Sequence, residues 1–85
     1  MSGDLPPVIR LGHDLVRNFE ALPPPKAAEE IAAHVRKFWE PRMRRELLGY
    51  LDAGDARMDP LLVAAAEALR EGEIDRGEVR EPSGG

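Results

Sequence analysis

The sequence predicts an all-α protein, a small bundle of about four short helices with a Pro-initiated helix–helix corner at Trp39-Glu40-Pro41. Three observations carry this. Apolar residues recur at steps of three and four along most of the chain, which is the period of a helix with one buried face. Pro stands at the head of these stretches, where a missing N–H has no partner to lose. No segment alternates apolar and polar residues over a length useful to a strand. The expected layout is a flexible N-terminus over 1–6, one helical domain over 7–71 and a mobile acidic tail over 72–85.

In the first helix, about Pro7 to Ala21, Val8, Leu11, Leu15, Phe19 and Leu22 make the stripe, widened by Ile9 and Val16. Asp4 is a candidate cap, with Pro6 or Pro7 in the first turn. Gly12 costs a helix about 1 kcal/mol relative to Ala and marks a close helix contact. Pro23-Pro24-Pro25 ends this helix and forms a stiff, short connector, so the first two helices are near neighbours.

The second helix, about Pro25 to Trp39, carries Ala28, Ile31, Ala32, Val35, Phe38 and Trp39 at helical spacing. It stops at Glu40-Pro41, because Pro disfavours a helical conformation in the residue before it. The same Pro suits the first turn of a third helix, Pro41 to Asp52, with Glu40 at or near its N-cap. Leu47, Leu48 and Leu51 continue the apolar pattern, helped by Met43 or Tyr50. Trp39 therefore sits at the corner, either wedged in the core or presented as an anchor to a partner, and one ring can serve both.

Asp52-Ala53-Gly54-Asp55 reads as a helix stop and turn, with Gly54 available for a left-handed cap. Asp59-Pro60 then pairs an N-cap with a first-position Pro. Leu61, Leu62, Ala65, Ala66 and Leu69 form the face of a fourth helix that fades near Arg70 to Gly72. In the remainder Ile74 and Val79 are the only bulky apolar residues.

The 85 residues suffice for one small domain with a modest core, and aromatics make up only 5% of them. Without Cys there is no disulfide and no thiolate metal site, which fits a reducing compartment. No apolar run approaches the ~20 residues of a membrane span, and MSGDLPP does not resemble a secretory signal, so a cytoplasmic location and no membrane partner are expected.

Candidate chemistry is sparse. His13 and His34 lack a metal-ligand spacing, and Glu29-Glu30 reads as a solvated helix face. The only serines, Ser2 and Ser83, lie in the expected flexible ends, and no Gly-rich phosphate loop is present. No catalytic, cofactor-binding or metal-binding residue is assigned. Charge is more informative. The chain carries −4 overall, yet His34 to Arg45 holds five strong positives against the single acid Glu40, while Glu71 to Gly85 holds five acids against two Arg. The basic block admits three readings: a solvated face, a nucleic-acid surface or a protein dock. Net negative charge weighs against nucleic acid. The combination of Arg with Trp suits a protein interface. The expected partner-binding residues are Arg36, Lys37, Trp39, Arg42, Arg44 and Arg45. Arg42 and Arg45, three apart, share one side of their helix and Arg44 lies nearer another, so they can bind separate carboxylates, or their stems can serve as cover for the core.

The run His34-Val35-Arg36-Lys37-Phe38-Trp39-Glu40-Pro41-Arg42-Met43-Arg44, with Leu47, Leu51, the Asp52-Ala53-Gly54 turn, Pro60, Leu61 and Val63, resembles the delta subunit of NAD-dependent, molybdenum-containing formate dehydrogenase. The resemblance spans roughly Leu11 to Leu69, and KFWEPRMR is its most specific part. The family more often has Asp at position 40 and Gly at position 55, differences that touch a cap and a turn. The resemblance implies an accessory subunit without its own active site, docked on the large (alpha) catalytic subunit. It places the molybdenum–pterin, iron–sulfur clusters, flavin and NAD of the holoenzyme on other subunits. The alternatives are an assembly factor for molybdenum cofactor insertion and a small helical nucleic-acid-binding module.

Overall fold

A computed structural model describes the backbone of residues 5–84 and the side chains of residues 5–72. Among the described residues there are four α-helices and no strand: α1 Pro7–Phe19, α2 Pro24–Phe38, α3 Pro41–Asp52 and α4 Pro60–Gly84. Every one of them begins with Pro. The residue before the first three is extended, with ψ of 145° at Pro6, 144° at Pro23 and 152° at Glu40, as the Pro ring that follows requires. Pro6, not Asp4, occupies the N-cap of α1, and Asp4 lies outside the described residues.

Two helix ends differ from expectation by two residues or more, while α2 is offset by one residue at each end. α1 stops at Phe19, two residues early, and the Leu22 N–H turns back to the Phe19 carbonyl at 3.0 Å. α4 does not fade near Arg70 to Gly72 but continues as a backbone helix to Gly84. Extending a formed helix needs no new nucleus, and the segment after Gly72 meets no Pro before Pro82. The expected tail over 72–85 follows α4 in its backbone to Gly84, and its side chains beyond Gly72 lie outside the described residues.

The core is aliphatic. Ile9, Ile31, Val35, Leu47, Leu62 and Leu69 are its largest fully buried members. α2 and α4 share the most extensive interface, α1 packs on α2, α3 and α4, and α3 packs on α4. Small residues are buried on both of these helices, Ala27, Ala28 and Ala32 on α2 with Ala65 and Ala66 on α4. Gly12 marks the close contact that its position suggested. A Cβ there would lie 2.7 and 2.8 Å from the two Leu62 methyls, and Leu62 is itself fully buried.

That contact explains why Leu11 faces out. α1 turns Val8, Ile9, Gly12, Leu15 and Val16 inward. The inward face is centred near Gly12, and Leu11, about 100° round the helix, is 43% exposed. Leu22, beyond the end of α1, is exposed as well. Phe38 also departs from the place its spacing in the α2 stripe predicts: it is 66% exposed. Trp39, extended past the last turn of α2, is the half-buried ring packed on the core, and Phe38 is left outside.

The α3–α4 connection follows its turn chemistry. Gly54 has φ of +65°, its N–H bonds the Leu51 carbonyl, and the Asp55 N–H bonds the Tyr50 carbonyl at 3.1 Å. Asp59 caps α4: its Oδ1 accepts the Leu61 N–H at 2.8 Å and its carbonyl accepts the Val63 N–H at 2.9 Å.

Candidate functional site

The corner between α2 and α3 is made by two extended residues. Trp39, at φ −88° and ψ 145°, ends α2 while its N–H still bonds the Val35 carbonyl. Glu40, the N-cap of α3, makes no side-chain cap bond. The last carbonyls of α2 have no partners within the helix. Arg44 reaches back from α3 to supply one: its Nη1 donates to the Trp39 carbonyl at 2.8 Å and to the Arg36 carbonyl at 3.4 Å. A guanidinium at this end also suits the negative pole of the α2 dipole. Arg44 therefore helps to hold the bend.

The six basic or aromatic residues expected to bind a partner are split by the fold. Arg36 is half-buried and lies against α4. A Cβ at Gly72 would overlap its Nη2 and stand 3.0 Å from its Cζ, so Gly72 leaves room for the guanidinium. The Nε of Arg36 is buried without a hydrogen-bond partner among the described residues. Arg44 and Trp39 are half-buried. Lys37, Arg42 and Arg45 are exposed, and neither Arg42 nor Arg45 has an ion pair or hydrogen bond among the described residues. Pro41, Arg44, Arg45 and Leu48 line a shallow cleft of about 200 Å³.

Phe38 belongs to this surface, although its helical spacing puts it in the apolar stripe of α2. Its ring centroid lies 4.7 Å from that of His34, the planes tilted by 41°, and Lys37 Nζ stands 5.7 Å from the ring centroid. No spacing rule separates Phe38 from Trp39: adjacent pairs such as Val8 and Ile9 or Ile31 and Ala32 are both buried, and the difference lies in Trp39 leaving the helix while Phe38 ends it.

His13 has a role at the opposite end. The Asp59 N–H donates to its Nε2 at 3.1 Å, tying α1 to the capped start of α4 across 46 residues of sequence. In the α3–α4 loop, Asp55 accepts from Arg57 Nε at 3.0 Å, Nη2 at 2.7 Å and the backbone N–H at 2.9 Å. The Arg57 side chain is the main reason the Asp55 carboxyl is lowered from 3.8 to about 2, with its backbone N–H second. Arg70 pairs with Asp52 and bonds the Leu48 carbonyl at 3.5 Å, joining α4 to the end of α3. Among the described residues no three His, Cys, Asp or Glu side chains converge as a metal ion would need, and no helix is long and apolar enough to cross a membrane.

These features define a small all-α protein in which most polar contacts brace helix ends, with one basic and aromatic corner facing out. The chain belongs to a known family of this kind: residues 7–66 match the NADH-dependent formate dehydrogenase delta subunit, FdsD. The match includes the whole corner and the first turns of α4. No curated protein and no solved structure matches the chain.

Proposed function

We propose that this delta subunit is a noncatalytic accessory component that docks on the large molybdenum-bearing subunit of the formate dehydrogenase complex through the outer side of the α2–α3 corner. The division within the basic block carries this reading. Arg36 packs beneath α4 and Arg44 braces the bend, whereas Lys37, Arg42 and Arg45 stand in solvent around the half-buried Trp39 in sequence. Charges with no internal task are the ones available to a carboxylate-bearing partner. Arg and Trp are also enriched where interface energy concentrates. A partner that binds only the folded chain adds stability by mass action, which suits a core as small as this one.

The resemblance assigns molybdenum–pterin, iron–sulfur clusters, flavin and NAD to other subunits. With no Cys, this chain's donor set does not fit an iron–sulfur cluster.

The double variant Arg42→Glu, Arg45→Glu, co-expressed with the large subunit, tests the reading. Co-purification is expected to fall by about tenfold or more, with the helical content of the free chain unchanged. Retention at the parental level contradicts the proposed dock. Association confined to a large subunit lacking its cofactor assigns the chain to assembly instead. Salt-sensitive retention on DNA, without the large subunit, would move it to the nucleic-acid class.

A further inference from the structure

Phe38 is the most exposed large apolar side chain among the described residues, at 66%. It is also held in place. It ends α2, where Trp39-Glu40-Pro41 forces the chain out of the helix, so its backbone is set by a Pro-defined stop and by Arg44 bonding the neighbouring carbonyl. His34, one turn earlier, lies 4.7 Å away ring to ring, and Lys37 approaches the ring to 5.7 Å. Arg44 offsets the negative pole of α2 from the inner side. The outer side thus presents an aromatic ring with a positive rim.

We propose that Phe38, flanked by His34 and Lys37, is an anchor that inserts into an acid-rimmed apolar pocket on another subunit of the complex. The proposal rests on the reading that the chain docks on a larger subunit, and adds an apolar element to it. Charge complementarity selects the occupant: the pocket must be apolar to take the ring and carry a carboxylate to meet Lys37. A second copy docking by the same patch would set Lys37 against Lys37. A lipid surface would call for further large apolar residues beside the ring, and Phe38 is the only exposed one on α2 among the described residues.

Phe38→Ser in the full chain, assembled with the other subunits, is expected to lower retention in the complex by about tenfold or more, while Phe38→Leu keeps most of it. The helical content and melting temperature of the free Phe38→Ser chain are expected to match the parent, because the ring is not part of the core. A benzophenone side chain at position 38 is expected to crosslink, in the assembled complex, to apolar residues of another subunit next to Asp or Glu. Parental retention of Phe38→Ser, a lowered melting temperature of the free variant, or crosslinks only to a second copy or to nucleic acid overturn the proposal. If Phe38→Ser binds normally and Arg42→Glu, Arg45→Glu does not, the anchor falls and the basic dock stands. The reverse result keeps the anchor and removes the basic dock.

Discussion

At the α1–α4 seam, Gly12 lies against the buried Leu62 and His13 accepts the Asp59 N–H. At the α2–α3 corner, Phe38, Lys37, Arg42 and Arg45 are left in solvent. Both regions join helices that begin with Pro, and both use a side chain to satisfy a helix end. They differ in what remains afterwards. The seam consumes its special residues in packing and capping. The corner turns Trp39, Arg36 and Arg44 inward, and Lys37, Phe38, Arg42 and Arg45 are surplus to the fold. Residues that stabilise the bundle and residues available for a partner can therefore be separated by substitution.

The largest expected effect is at the seam. Leu62 is fully buried beneath Gly12, and Leu62→Ala is expected to cost about 2–5 kcal/mol, enough to unfold much of a small domain. Thermal or urea unfolding of the full chain checks this. A small loss there would mean that the contact between α1 and α4 is not central to the core.

Within the corner, Arg44→Met is expected to cost about 1–2 kcal/mol by removing the donor from the end of α2. Arg42→Met on the same helix is expected to stay within about 0.5 kcal/mol of the parent. Equal losses at the two positions, measured by the same unfolding curves, would erase the distinction between inner and outer arginines.

The smallest effect belongs to the loop between these regions. Asp55 has its folded value lowered to about 2 by Arg57, so its contribution is complete above its ordinary 3.8 and is lost as pH falls towards 2. The parent is expected to lose melting temperature over that acid interval slightly more steeply than Asp55→Asn. The two slopes are expected to coincide at neutral pH, and coincidence in acid as well would show that the Asp55–Arg57 pair adds nothing to folding.

Much of this architecture was legible in the sequence because local chemistry decides it. Pro41 and Pro60 set helix starts, Asp59 caps, and Gly54 alone can take the left-handed turn at +65° without strain. Gly12 also signalled its contact. What stayed hidden depends on partners far along the chain. The rotation that exposes Leu11 is set by the approach of α4 to Gly12, and the His13–Asp59 bond joins positions that no motif connects. The basic block was legible as a block. Which arginines turn inward was not, because Arg36 needs Gly72 on α4 and Arg44 needs the bend itself. The choice between Phe38 and Trp39 turned on where α2 ended, and a boundary one residue later would have placed them differently.

Residue-level labelling of this chain, free and within the formate dehydrogenase complex, tests the proposed dock most directly. Hydroxyl-radical or lysine- and arginine-directed reagents report side-chain access at each position. Lys37, Phe38, Arg42 and Arg45 are expected to lose reactivity on assembly, while the outward Arg10 and Arg17 of α1 keep theirs. Unchanged labelling at all four corner residues, with protection on α1 instead, would contradict it.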